Sequence, residues 1–165
     1  VYKDSVLLGK SVPVEKPLIQ DRVTGLDSVM GVIYHGKYYW FFGDTNRVDN
    51  LLGNFFVTGA TSNMSNIDFS QKRVNLEYIT DSNHEFVKPL ARVEPRNQPT
   101  WIHDVVVLTD NDSTEIMLCT FLKPQTDVHP AVRGVMKWND DSQEFQVIKL
   151  IQEEVDNVWP IDGAH

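Results

Sequence analysis

The chain has 165 residues, a net charge of −8 and a hydrophobic content of 41%. This is the composition of a folded protein, and the length suits one domain that buries its own core. Binding to phosphates needs clustered lysine and arginine, so neither a nucleic acid nor an anionic membrane is expected as a partner.

The first half of the chain predicts four strands, because short aromatic and β-branched runs alternate with turn residues. Ser28–His35 and Lys37–Phe42 predict a hairpin with its turn at Gly36. Asn54–Thr61 and Asn75–Thr80 predict the third and fourth strands. Apolar residues at helical spacing are hard to find over any long window, so the sequence predicts an all-β fold.

The second half repeats this pattern after a polar stretch that contains proline. Asp104–Thr109 and Glu115–Leu122 predict a hairpin across the turn sequence DNDS. Arg133–Trp138 and Gln143–Ile148 predict another hairpin across NDDS. Cys119, the only cysteine, falls within a predicted strand and is expected to be a buried thiol.

Three short blocks of sequence align on an aspartate. They read GLDSVMGVIYHGKYYWFFGDT around Asp27, WIHDVVVLTDNDSTEIMLCTF around Asp104 and WPIDGAH around Asp162. The three aspartates are 77 and 58 residues apart, and each interval holds about four predicted strands. The predicted blade-like units are roughly 22–95, 99–155 and the start of a third at 159–165.

Repeated units of four antiparallel strands favour a β-propeller, and a plain β-sandwich is the alternative. Residues 1–165 are expected to form a single propeller-like domain that is incomplete, because a closed ring takes four to eight blades. The chain is therefore expected to be an N-terminal fragment of a longer protein. Open blade edges expose unpaired strand groups, which predicts self-association.

The aspartates are the candidate catalytic residues. The first strand of each propeller blade lines the central channel, so Asp27, Asp104 and Asp162 are expected to converge there. Carboxylates that lie close together raise one another's pKa, which can keep one of them protonated near neutral pH. Glycoside hydrolysis uses such a pair, one group as acid and the other as base or nucleophile. Alternatively, each aspartate could be a turn residue that bonds its own backbone.

Aromatic and histidine side chains accompany these aspartates and are the candidate substrate-binding residues. Trp101 and Trp159 each precede an aspartate by three positions and could form platforms for a sugar ring, with core packing as the alternative. His103 and His165 are expected near the same end of the central channel. Either histidine could assist a carboxylate or hold a central ion, and a purely structural role is the alternative.

Asp44 follows the aromatic run that ends the second predicted strand. It is expected mainly to accept backbone N–H bonds in the following turn, after a sharp bend at Gly43. It is also expected to support the part of the site that contains Asp27. No cofactor is expected, because the sequence has no metal-binding or phosphate-binding motif. No motif requires a metal either, although a central channel could hold an ion such as calcium.

The quoted blocks resemble the opening blades of five-bladed β-propeller glycoside hydrolases, the group of arabinanases, β-xylosidases, invertases and levansucrases. The resemblance covers Asp21–Thr45, Trp101–Phe121 and, more faintly, Trp159–His165. It implies a carbohydrate substrate and a reaction at the glycosidic bonds of a poly- or oligosaccharide.

The resemblance also implies roles for the aspartates. Asp27 would act as base or nucleophile, and Asp104 would orient the site and stabilise the transition state. The third blade of that group supplies a glutamate as general acid, where this sequence has Asp162.

Two other classes of protein remain open. One is a non-catalytic carbohydrate-binding or scaffold propeller, and the other is an interaction module that pairs through its blade edges. No membrane span or signal peptide is visible, and the compartment stays open, with a secreted or periplasmic location compatible with the sequence.

Overall fold

The computed structural model describes residues 2–49, 56–71, 73–82, 87–96, 98–123 and 132–151. The protein is all-β, with 52% strand and 6% helix, which confirms the predicted fold class. The helical elements within the described ranges are α1 (Lys3–Leu7) and one 3-10 turn, Met64–Asn66. No helix in the described part of the chain is long and apolar enough to cross a membrane.

The first half of the chain forms one four-stranded sheet and two small ribbons. Its strands are β1 (Val23–Leu26), β2 (Val29–Tyr34), β3 (Lys37–Phe42), β4 (Thr45–Arg47), β5 (Thr58–Asn63), β6 (Ile67–Asp68), β7 (Arg73–Val74) and β8 (Glu77–Tyr78). We call the antiparallel sheet β2-β3-β5-β8 the first sheet. The ribbons pair β1 with β4 and β6 with β7.

The predicted hairpin of the first sheet is confirmed. Its turn residues His35 and Gly36 have φ angles of 48° and 71°, as a two-residue turn of type I′ requires. The third strand lies slightly later than predicted, and the fourth shrinks to Glu77–Tyr78. The ribbon of β1 and β4 was not predicted, because strands of three or four residues are too short to show alternation.

The second half of the chain forms a longer and more regular sheet. Its strands are β9 (Trp101–Thr109), β10 (Glu115–Lys123), β11 (Val132–Asn139) and β12 (Glu144–Ile151). They pair antiparallel in chain order, and we call this meander the second sheet. Both predicted hairpins of this half are confirmed, and β9 begins three residues before its predicted start.

The two sheets share one hydrophobic core. Phe41 of the first sheet lies 5.8 Å from Trp138 and 5.2 Å from Phe145 of the second, measured between ring centroids. Met117 and Met136 are fully buried in the same cluster. The first strands of the two sheets, β2 and β9, lie against each other, so that both begin at one end of the core.

Polar contacts join the sheets where β2 and β9 end. The Tyr34 hydroxyl donates to Asp140 at 2.9 Å, and the Trp138 indole donates to the same carboxylate at 3.1 Å. In the hairpin turn, the His35 backbone N–H donates to Glu115 at 2.6 Å. These contacts fix the relative position of β2 and β9, and thereby that of the residues where both strands start.

Candidate active site

An open cavity of about 770 Å³ lies where β2 and β9 begin. This volume is within the usual range of small-molecule sites. Five of the eight predicted site residues line it, namely Asp27, Asp44, Trp101, His103 and Asp104. The apolar part of the lining consists mainly of Val29, Met30, Val57, Ile102 and Val105.

The other three predicted site residues, Asp162, Trp159 and His165, lie outside the described residues. The candidate site is therefore built here from the first and second sheets alone.

Asp27 is presented by the short connection between β1 and β2. Its backbone N–H donates to the carbonyl oxygen of Asp44 at 3.1 Å, and its own carbonyl accepts from the Gly43 N–H at 2.7 Å. Ser28, in the left-handed region at φ 50°, donates its hydroxyl to Asp27 Oδ1 at 3.1 Å. The backbone thus turns at Ser28 and leaves the Asp27 side chain exposed at the cavity.

Gly43 serves this arrangement by its small size. A Cβ atom added there would lie 3.1 Å from the Cβ of Ser28 and 3.4 Å from the Asp27 carbonyl oxygen. The chain leaving β3 can therefore approach the Asp27 connection closely, whereas the sequence had suggested that glycine was needed for a bend.

Asp44 joins the two sheets. The indole N–H of Trp101, at the start of β9, donates to Asp44 Oδ1 at 3.4 Å. The predicted partner was a backbone N–H of the following turn, but β4 begins at once with Thr45, so the local turn is absent. Thr45 is fully buried, and its hydroxyl bonds that of Thr58 at 2.6 Å, which anchors β4 to β5.

Asp104 lies in a β-bulge within β9. Leu118 pairs with Val106 and Thr120 pairs with His103, so two residues of β9, Asp104 and Val105, stand opposite Cys119 alone. Asp104 has φ 50°, a left-handed conformation that aspartate tolerates better than most residues. Bulges change the direction of a side chain, and this one lets Asp104 line the cavity from inside a strand.

Thr120 is hydrogen-bonded to the bulge from the neighbouring strand β10. Its hydroxyl lies 3.3 Å from Asp104 Oδ2 and also 3.3 Å from the His103 carbonyl oxygen. Thr120 is only 6% exposed, so water has little access to this contact. The His103 side chain is exposed and forms no hydrogen bond with any described residue.

Ser28 and Thr120 are the site residues that sequence reasoning missed. The position of Ser28, directly after a candidate aspartate, was an available signal. Thr120 had none, because its proximity to Asp104 depends on the register of two strands and on a bulge.

The structure also bears on metal binding. Among the residues described, no three carboxylate, histidine or cysteine side chains are grouped so that they could hold a metal ion. The ion in a central channel stays a prediction.

Comparison of the chain with protein-family models, with curated proteins and with solved structures finds no match.

Proposed function

We propose that the protein is glycoside hydrolase-like and acts on the glycosidic bonds of a poly- or oligosaccharide. One observation carries the proposal: Asp27 and Asp104, which come from the starts of two different sheets, line one cavity. This reaction needs carboxylates that converge on one bound sugar, because one protonates the leaving oxygen while another acts as base or nucleophile. The candidate for the proton donor is Asp162, which lies outside the described residues.

In this mechanism Asp27 is the base or nucleophile. Its Oδ1 accepts the Ser28 hydroxyl, which leaves Oδ2 to face the substrate. Asp104 accepts Thr120 at Oδ2, so that its Oδ1 can orient the sugar and stabilise the positive charge of the transition state. The distance between the carboxylates determines the outcome, with about 5–5.5 Å for retention and about 6.5–9.5 Å for inversion.

Trp101 is the proposed sugar platform. It is half-buried, and its indole N–H is held by Asp44 across the sheets. This contact fixes the orientation of the ring beside the two carboxylates. An aromatic ring offers an apolar face with little conformational freedom to lose, which suits stacking on a sugar.

The proposed arrangement of the sheets is that of neighbouring propeller blades. Two four-stranded meanders whose first strands adjoin support it. Exposed apolar side chains on the first strands also support this arrangement. They are 44–60% exposed and belong to Val29 and Ile33 on β2 and to Val106 and Leu108 on β9. The outer faces of a two-sheet sandwich are polar, whereas inner blades of a propeller have apolar residues on both faces.

A non-catalytic carbohydrate-binding protein is the second candidate function. One observation favours it: the described lining of the cavity contains no glutamate, the residue expected as general acid. Such a protein would bind a sugar through Trp101 and the aspartates without turning it over.

The test replaces Asp27 and Asp104 separately by asparagine, which keeps the shape of the side chain and tolerates the left-handed backbone at Asp104. Asp141→Asn is the matched control, because Asp141 is exposed and does not line the cavity. Hydrolysis of a panel of aryl glycosides and neutral oligosaccharides should fall by about 10²–10⁴ in each site variant and stay unchanged in the control.

Each result has a definite meaning. Wild-type hydrolysis that survives both site substitutions would show that the roles assigned to Asp27 and Asp104 are wrong. Saturable sugar binding by the wild type without hydrolysis would favour the second candidate.

A further inference from the structure

A second cavity, of about 490 Å³, lies beside the first sheet. Its polar lining contains three cations, two hydroxyls and one carboxylate, from Arg47, Lys88, Arg92, Thr80, Ser82 and Asp81. It adjoins the candidate active site, because Phe56 lines this cavity and Val57 lines the other. None of the five predicted site residues that the structure describes lines it.

Arg92 is the informative residue of this lining. Its Nε is shielded from solvent and has no hydrogen-bond partner within the described ranges, and its guanidinium forms no ion pair there. An arginine donor removed from water without a partner costs free energy, since the lost hydration is not replaced. Since Nε itself is out of reach of the solvent, a ligand in the cavity would compensate the charge of this guanidinium through its terminal Nη groups.

The other cations of the cavity are partly compensated. The ammonium of Lys88 lies 3.0 Å from Glu144, and Arg47 Nε lies 4.0 Å from Asp49. Neither carboxylate lines the cavity, so among the described residues the lining presents three cationic side chains and one carboxylate, that of Asp81. This balance contrasts with the net charge of −8 for the whole chain.

We propose that this cavity binds a small organic oxyanion, through a phosphate or carboxylate group held by Arg92 and Arg47. A guanidinium presents its N–H groups as a planar fork that matches two oxygens of either anion. The hydroxyls of Thr80 and Ser82 supply further donors of the kind that such groups accept. The cavity is larger than a lone phosphate needs, so the ligand carries an attached body such as a sugar ring.

The test measures binding to the whole chain at constant ionic strength, by calorimetry and by thermal unfolding. The probes are inorganic phosphate, glucose 6-phosphate and glucuronate, with glucose as the neutral control and sodium chloride as the control for general screening. We expect saturable binding of at least one anionic sugar and none of glucose. A phosphate or a carboxylate preference identifies which oxyanion the site takes.

Arg92→Gln should weaken this binding at least tenfold, because it removes the charge and the fork. Arg96→Gln is the matched control, since Arg96 is 62% exposed, pairs with Glu94 and lies outside the cavity. If Arg92→Gln does not fold, as judged by circular dichroism, Arg92→Lys replaces it, which keeps the charge but loses the bidentate contact and should still weaken binding.

The proposal is wrong if none of the three anions binds saturably, or if the folded Arg92 variant binds them as tightly as the wild type. It does not rest on the proposed function. Asp27→Asn and Asp104→Asn should bind the anion normally, so that a failure of the glycosidase assignment leaves this result intact.

Discussion

The first and second sheets each have four antiparallel strands, but they present their candidate aspartates differently. The strands of the second sheet are eight or nine residues long, and Asp104 projects from within one of them at a bulge. The first sheet has three strands of six residues and one of two, and Asp27 lies in the connection before its first strand. In the second sheet a bulge within a strand directs the aspartate to the cavity, whereas in the first sheet the connection that leads into the sheet presents it.

The largest effect that we expect comes from added volume at two glycines, one in each sheet, whose surroundings differ. A Cβ atom at Gly134 in β11 would collide with the carbonyl oxygen of Lys149 and lie 2.7 Å from the Phe121 ring. A Cβ atom at Gly31 in β2 would come closest to the Tyr38 side chain, which is half-buried and can move. Gly134→Ala should lower the free energy of unfolding by about 3 kcal/mol and Gly31→Ala by about 1 kcal/mol or less.

Urea unfolding of the two variants and the wild type measures this contrast. Equal losses would mean that the Tyr38 side chain cannot move aside for the added methyl group.

The second sheet also contains a buried lysine, which gives the next largest effect. Lys123 is 2% exposed, and its ammonium donates to the carbonyl oxygens of Val93 and Pro95 at 2.7 and 2.8 Å. Lys123→Met leaves both carbonyls without this donor and should lower stability by about 2 kcal/mol at neutral pH. Arg96 lies in the same loop as Val93 and Pro95 but is exposed, so Arg96→Gln should leave the midpoint of urea unfolding unchanged.

Burial lowers the pKa of Lys123 below its ordinary value of 10.5. Between the lowered pKa and 10.5 the unfolded chain binds more protons than the folded one, so this residue makes stability rise with pH. Lys123→Met should remove that contribution. An unchanged pH dependence in the variant would mean that the ammonium is solvated despite its position.

Tyr78 in the first sheet should contribute the opposite slope. Burial, with a smaller contribution from the charge of Asp21, raises the pKa of Tyr78 to about 12. Between pH 10 and 12 the folded chain therefore holds a proton that the unfolded chain loses, so stability falls as pH rises, by at most about 1.4 kcal/mol per pH unit. Tyr78→Phe should flatten the dependence of the unfolding free energy on pH in this window only. Tyr2→Phe, in the N-terminal segment, is the control variant.

The smallest expected effects concern the hydroxyls beside the two aspartates. Thr120→Val should lower the kcat of the proposed hydrolysis about fivefold, because water cannot easily replace a donor that is 6% exposed. Ser28→Ala should lower it about twofold or less, since Ser28 is exposed and water can take its place. Thr120→Ser keeps the hydroxyl and should restore the rate, and an unrestored rate would assign the loss to packing.

Sequence predicted the parts of this fold that depend on neighbours along the chain. The aromatic run in Lys37–Phe42 predicted the strand with the correct bounds, and Gly36 predicted the turn, because hairpin turns are encoded locally. The matching position of Asp27 and Asp104 in the two quoted blocks predicted that they would converge, and both line one cavity. The propeller channel in which they were expected to meet stays a prediction.

The remainder depended on distant pairing that the sequence does not display. The bulge at Asp104 follows from the register of β9 against β10, and no residue in WIHDVVV marks it. The contact between Asp44 and Trp101 joins residues that are far apart in the chain, so a local turn was the simpler expectation. Interactions of this kind become visible only when the sheets are placed together.

The position of Cys119 gives the protein a built-in chemical reporter. It is the only thiol of the chain, it is 2% exposed, and it stands opposite the Asp104 bulge. Burial raises its pKa, so little thiolate is available to a labelling reagent while the sheet is closed. Its labelling rate therefore reports how often the second sheet opens beside the Asp104 bulge, without any engineered probe.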